Sequence, residues 1–307
     1  MKNKRILYVV ASALVLFSGC KYDDDWLNPT DVPPMAYFAS ALSYERTVIP
    51  GEGLQFGIGP ALAGDIKRKN DQTVDLVIVK NVVDISSTRK LLPDDFYNSS
   101  ELGGNIRVTI PKGELFDFFY VKLDSVKFLN DAKAMIGSSP LYALPVRIVG
   151  TSVDTINADR DEVLVAIRYQ ASFDGWYLHE TTIENENGVK IASEKSWAEA
   201  DNQSWRLETR GPFTVIATPP VTSFNNGLNF KLTVQGNSVS FEQVDGEPLV
   251  EAIAGKTNSY DWTTRDFQLN FKYTKPDDET VYHVSTKLTF RNRVIDGINQ
   301  PRAHLIY

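Results

Sequence analysis

The sequence predicts an all-β protein: an immunoglobulin-like β-sandwich followed by a second domain that is an antiparallel β-sandwich or barrel-like. Three observations carry this expectation. Apolar residues alternate with polar ones in short runs bounded by turn residues. No segment sustains a period of 3.6 with caps at both ends; Leu91 to Asn98 and Ser193 to Asp201 are the acceptable short-helix candidates. Two-residue turn signals such as Gly236-Asn237 separate alternating segments, as hairpins require.

In chain order, Lys2, Lys4 and Arg5 form a positive start, and Ile6 to Phe17 is an apolar run broken only by Ser12. That is the length of a secretory signal core and falls short of the roughly 20 apolar residues of a membrane span. Ser18, Gly19 and Cys20 close residues 1–19 in a pattern that resembles the lipobox of bacterial lipoproteins, in which the cysteine is lipidated and becomes the mature N-terminus. Phe17 stands where that motif usually has leucine. Lys21, Tyr22 and Asp23 to Asp25 resemble the lysine-plus-acidic export signal of surface lipoproteins in Bacteroidota; a solvated acidic linker is the alternative. The implied location is the outer membrane, with the protein lipid-anchored and facing the cell exterior.

Cys20 is the only cysteine of the 307 residues, so neither an internal disulfide nor a thiolate metal cluster can form. The protein must rest on a buried core, and it is long enough for one. Removing residues 1–19 takes away three positive charges and no negative one, so the net charge goes from −7 to −10. An acidic chain without a long basic run is a poor nucleic-acid or anionic-lipid binder. Membrane contact is therefore expected through the lipid anchor alone.

Residues 20–34 carry Pro29, Pro33 and Pro34 among polar residues, an extended tether. Residues 35–172 read as the first domain. Val74, Leu76 and Ile78 share one parity, as do Ile106, Val108 and Ile110, and Val163, Val165, Ile167 and Tyr169; Asp75, Arg107 and Arg168 fall on the opposite one. Phe116 to Leu123 is apolar on both parities apart from Asp117 and Lys122, which predicts a central strand.

The pattern breaks at Gln170 to Gly175, so residues 173–307 form the second domain, which holds every tryptophan except Trp26. Closing a hairpin at Gly236-Asn237 sets Gln235 opposite Ser238, Val234 opposite Val239, and Leu232 opposite Phe241, with the apolar side chains on one face. Phe267, Leu269, Phe271 and Tyr273 alternate in a second strand; beyond the loop at Pro276-Asp277-Asp278, Tyr282, Val284, Leu288 and Phe290 alternate in its partner.

The lipobox, the β-sandwich segments Ile110-Pro111-Lys112-Gly113 and Tyr142 to Ile148 (YALPVRI), and Phe290-Arg291-Asn292-Arg293 with Asp296-Gly297 together resemble a family of two-domain lipoproteins. Their N-terminal domain is of unknown function, a β-rich domain follows it, and they are encoded beside SusC- and SusD-like proteins in polysaccharide-utilisation loci. The resemblance covers nearly the whole mature chain. It implies a surface glycan-binding accessory protein, with a possible SusC/SusD-like importer complex as partner, and supplies no site motif.

Catalytic signals are weak. The acidic clusters Asp94-Asp95, Asp159 to Glu162 and Asp277 to Glu279 fall where turns are expected, and a glycosidase needs two carboxylates converging on one bond. There is no G-x-S-x-G elbow, and His179, His283 and His304 are far apart without zinc spacing. The glycines at 51, 53, 57 and 59 miss the phosphate-loop pattern and fit bulged or edge β structure. No enzyme activity, metal or cofactor is expected.

Carbohydrate recognition uses flat aromatic walls with a few polar groups. Trp176, Tyr177, Trp197, Trp205, Tyr260 and Trp262 are the candidate ligand-binding residues. Core or rim packing is the commoner role of tryptophan in a β domain. Trp197, Trp205 and Trp262 lead because their surroundings are polar and turn-like. The expected function is binding of a polysaccharide or oligosaccharide for a neighbouring importer. The alternatives are an adhesive subunit that pairs through an exposed sheet edge and, last, a surface glycan-active enzyme.

Overall fold

The computed structural model describes residues 33–40, 43–64, 70–80, 84–196, 203–220, 227–275 and 279–293. The expected signal segment, Cys20, the expected tether as far as residue 32, Trp197 and His304 lie outside them.

The first unit contains β1 (Met35–Tyr37), β2 (Ser43–Val48), β3 (Gln55–Ile58), β4 (Ala61–Ala63), β5 (Gln72–Ile78), β6 (Asp84–Ser86), β7 (Arg89–Leu91) and β8 (Ile106–Ile110). It continues with β9 (Phe119–Lys122), α1 (Ser125–Asn130), β10 (Leu141–Thr151), β11 (Thr155–Ile156) and β12 (Glu162–Tyr169). The main sheet has the order β2-β12-β10-β5-β8, with β7 also beside β10; β11-β1-β4 and β3-β9 form two smaller sheets. The expected parities hold. Val74, Leu76, Val108, Ile110, Val163, Val165 and Ile167 pack with Phe38, Phe56, Ile58 and Val121 in one buried cluster, because a period of two sends every second side chain to the same face. On the other face Asp75 and Arg107 are cross-strand partners joined by an ion pair at 2.7 Å. Arg168 is only 15% exposed, since its guanidinium folds back onto Glu45 at 2.7 Å.

Three expectations are corrected. Phe116 to Leu123 is not a central strand: β9 pairs only with β3, and Phe116 is 42% exposed. Its apolar character on both parities has two causes. Phe119 and Val121 enter the core, while Phe116, Phe118 and Tyr120 stack along the other side with centroids 5.5 and 6.4 Å apart. Gly59 is required there, for a Cβ would stand 2.6 Å from both the Asp117 carbonyl and the Phe118 ring. The helix expected at Leu91 to Asn98 shrinks to one 3₁₀ turn, Asp94–Phe96, because Leu91 is held in a strand against Ala143 and Pro93 bars continuation. Ser193 to Lys195, the described start of the other expected helix, pairs as a strand with Thr182 to Glu180. The one α-helix among the described residues, α1, was not anticipated; Asp124 caps it, accepting from the Val126 and Lys127 amides at 2.9 Å.

The second unit comprises β13 (Gly175–Asn185), β14 (Lys190–Lys195), β15 (Trp205–Thr209), β16 (Thr214–Thr218), β17 (Phe230–Gln235), β18 (Ser238–Gln243), β19 (Val250–Ala252), β20 (Ser259–Tyr260), β21 (Phe267–Thr274) and β22 (Val281–Asn292). The order β13-β15-β16-β17-β18-β20-β21-β22 returns to β13, which closes an eight-stranded antiparallel barrel. Of the two anticipated architectures, this is the barrel. The β17–β18 hairpin has the expected register, and Gly236 takes φ +59° at the first central position, as a type II′ turn demands. Closure is thinnest between β18 and β20. There one residue pair, Ser238 with Ser259, is flanked by backbone bonds from Tyr260 to Asn237 (2.9 Å) and from Val239 to Asn258 (3.2 Å).

An eight-stranded barrel is just wide enough for side chains to fill. Tyr177, Leu207, Phe230, Leu232, Phe267, Leu269 and Leu288 do so here, each fully buried. Phe173, from the segment entering the barrel, plugs its near end between Tyr260, Trp262 and Phe267, and its carbonyl accepts the Tyr177 hydroxyl at 2.9 Å. The buried clusters of the two units divide between Tyr169 and Ala171. Across that division Glu52, in the turn after β2, accepts from Arg265 at 2.9 Å and from Arg293 at 2.8 Å on both oxygens.

Candidate functional site

The six aromatic residues have unequal fates. Tyr177, Trp205 and Tyr260 are 0%, 2% and 1% exposed. They lie on the inward parity of barrel strands, so the expectation that they present a face to ligand is corrected for all three. Trp205 packs edge-on to Phe230 and Phe271 at 6.0 and 6.4 Å, and Tyr177 against Phe267 at 5.6 Å. Trp176, half-buried and one residue out of phase with Tyr177, lies under the Arg206 guanidinium at 5.7 Å. Trp197 falls outside the described residues. Among the described residues Trp262 alone is an exposed indole, at 40%.

Trp262 sits on the loop between β20 and β21. The loop is closed by the Asp261 amide donating to the Asp266 carbonyl at 2.9 Å and by the Arg265 amide donating to the Asp261 carbonyl at 2.7 Å. The Asp261 carboxylate holds the turn from inside, accepting from the Thr263 and Thr264 amides at 2.7 and 3.3 Å. Arg265 takes φ +63°, a left-handed conformation that a side chain rarely adopts. Its guanidinium is held over the Phe290 ring at 5.0 Å and against Glu52. The indole is fixed as firmly: Nε1 donates to the Gly236 carbonyl at 2.8 Å, and Tyr260 and Phe173 pack edge-on at 5.0 and 6.3 Å.

Beside this loop runs an open groove of about 590 Å³, within the roughly 300–1,000 Å³ of small-ligand sites. Asn237, Asp261, Thr264, Asp266, Gln268 and Lys287 supply its polar groups. Trp262 stands between two of these, Asp261 and Thr264, and bonds the residue before a third, Asn237. Lys287 and Asp266 form an ion pair at 3.4 Å. Sequence reasoning missed Asn237, Asp266, Gln268 and Lys287. Gln268 and Lys287 were legible as the polar parity of two antiparallel strands, and their registration as direct partners brings them together.

The far end of the barrel offers a contrast. Its cavity, walled by His179, Thr181, Trp205, Phe271, Tyr273 and Val284 among others, measures about 30 Å³, room for about two waters and not for a sugar. His179 Nδ1 lies 2.7 Å from Thr181 Oγ1, which lies 2.7 Å from Thr286 Oγ1. Burial pushes the imidazole below its usual range, against a hydrogen bond with the Gln203 backbone. This buried polar chain is satisfied within the protein. Among the described residues no three His, Cys, Asp or Glu side chains gather as metal ligands would.

Neither family models nor curated proteins match the chain. Solved structures do. A Bacteroides ovatus protein of unknown function, 15% identical, covers 87% of this chain and 98% of its own with a TM-score of 0.61, so the two share a fold. A second Bacteroides ovatus protein of unknown function, 10% identical, covers 84% of this chain and 94% of its own with a TM-score of 0.37. An auxiliary nutrient binding protein from Bacteroides thetaiotaomicron, 14% identical, covers 81% and 91% with a TM-score of 0.37.

Proposed function

We propose that this chain is a lipid-anchored surface protein that binds an oligosaccharide or polysaccharide in the groove beside Trp262 for a neighbouring importer. The observation that carries the reading is an exposed indole, locked by one hydrogen bond and two ring contacts, on the loop whose Asp261 and Thr264 wall an open polar groove. A sugar ring has an apolar C–H face that an immobile indole covers without losing side-chain entropy on binding. Asn237, Gln268, Asp266 and Lys287 are placed to meet its hydroxyls. The signal segment and Cys20 support a surface location.

Binding suits the groove better than hydrolysis does. A glycosidase acid must keep its proton near neutrality. Of the two groove carboxylates, Asp261 is spent on its own turn and Asp266 on Lys287. Calorimetry against a panel of host, plant and microbial glycans tests the reading. A binding glycan should lose about tenfold in affinity in Trp262→Ala, about 1.4 kcal/mol, measured at a temperature where the variant, which melts lower for want of the indole's hydrogen bond and ring contacts, is fully folded. No binding across the panel, or binding indifferent to Trp262, refutes it.

A second reading is partner binding by strand addition, supported by β14. It is an end strand of the barrel sheet and shows Ile191 at 42% exposure. Co-purification of a protein partner without sugar, abolished by Ile191→Lys, supports that reading; retention refutes it.

A further inference from the structure

We propose that the first unit holds a second, separate binding site: a pocket at β2 that takes a small carboxylate carried on a flat apolar body. The pocket measures about 210 Å³ and is walled by Phe38, Tyr44, Arg46, Gly59, Phe116 and Phe118. That volume is below the range of drug-sized sites and limits the occupant to a single ring or a short chain.

The charge of Arg46 selects the ligand. Tyr44 and Arg46 are two residues apart on β2 and share a face, with the guanidinium carbon 4.1 Å from the Tyr44 ring centroid. Glu45, between them, faces the other way and is already paired with Arg89 at 2.9 Å and Arg168 at 2.7 Å. No carboxylate among the described residues answers Arg46, and its Nε is buried with no hydrogen-bond partner. The Arg46 side chain has a hydrogen bond to the neutral Tyr44 phenol but no counter-charge; a buried, unsatisfied donor on such a cation is costly, and a carboxylate accepts from a guanidinium fork through two parallel bonds. The Tyr44 phenol, pushed up to about 12 by burial against the Arg46 charge and a hydrogen bond with the Arg46 side chain, keeps its proton at neutral pH, so it does not neutralise the guanidinium.

The walls select the rest of the ligand. Phe116 and Phe118 meet edge to face, centroids 5.5 Å apart at 70°, and Phe116 is 42% exposed, so the aromatic side of the pocket is open to entry. Phe118 comes this close because Gly59 has no side chain. Such walls disfavour a strongly hydrated ion like phosphate, which would be desolvated against them, and favour a flat body packed on the rings.

The test is calorimetry of the full chain with benzoate, benzamide and inorganic phosphate as probes. Benzoate should bind, benzamide at least tenfold more weakly, and phosphate more weakly still. Arg46→Met should lose at least tenfold for benzoate while leaving any glycan affinity of the Trp262 groove unchanged, and Arg46→Lys, with charge but no fork, should fall between. Phe116→Ala, at an exposed position, gives an independent variant and should lower benzoate affinity severalfold with the melting curve unchanged. Equal binding of benzoate and benzamide, preference for phosphate, failure of benzoate to bind, or indifference to both Arg46→Met and Phe116→Ala overturns the proposal.

Discussion

Replacing Glu52 with alanine should weaken the barrel even though Glu52 belongs to the other unit. Its carboxylate receives both a two-pronged contact from Arg293 and a single one from Arg265. The side chains of Glu52, Arg293 and Arg265 are 21%, 8% and 32% exposed. Removing one partner of a fully buried pair costs about 3–5 kcal/mol, and exposed pairs are worth about 0.2–1 kcal/mol. This cluster lies between the limits. Arg293 retains a bond to the Ser172 carbonyl at 3.0 Å, and Arg265 keeps the Phe290 ring. A loss of about 2–3 kcal/mol follows. Urea unfolding read by tryptophan emission is the assay, because Trp176, Trp205 and Trp262 lie on barrel strands or the loop between them. With a slope of about 1–3 kcal/mol per molar urea, the midpoint should fall by about 1 M. A double-mutant cycle with Arg293→Met should give a coupling above about 1 kcal/mol. A midpoint shift under about 0.3 M, or additive losses in the cycle, would show that the contact carries no energy between the units.

Three further outcomes are expected. Trp205→Ala empties the barrel core and should cost about 3–5 kcal/mol by urea titration; a variant that melts like the wild type but loses glycan would return Trp205 to the surface. His179 has a lowered folded pKa, so the unfolded chain takes up a proton that the fold refuses. Stability should therefore fall as pH drops below about 6.5, the unfolded value. His179→Gln should flatten melting temperature between pH 7 and 5, and an unchanged slope refutes the assignment. Cys20→Ser should move the chain from the membrane to the soluble fraction; continued membrane association would remove the lipid anchor from the reading.

What the sequence made legible follows from which interactions are local. Strand parity and the Gly236 hairpin depend on neighbours in the chain and on turn chemistry, and both were readable from residues alone. Barrel closure depends on β22 reaching β13, about a hundred residues away, which no local pattern announces. The aromatic residues divide along the same line. Trp205 and Tyr260 sit in polar-looking sequence, yet their strand parity turns them inward, while Trp262 escapes because a closed loop, not a strand, carries it. Phe116 to Leu123 misled for another reason: its outer rings pack on one another across glycines 57 and 59, an arrangement that hydrophobicity alone does not separate from a buried strand.

The narrow join between β18 and β20 gives the groove a mechanical meaning. Asn237 lies on one bank of that join, and Ser259, Tyr260 and Gln268 on the other. A molecule seated in the groove spans both banks and acts as a splint across the place where the cylinder is held by the fewest bonds. Occupancy and closure then draw on the same free energy: a ligand at a hundred times its dissociation constant adds about 2.7 kcal/mol to the closed form. Its protection against amide exchange should concentrate at Tyr260 and Val239, whose backbone bonds cross the join. Conversely, any change that slackens this join should weaken the proposed binding without touching a contact residue, which would make the cylinder's weakest line the place where loading is felt.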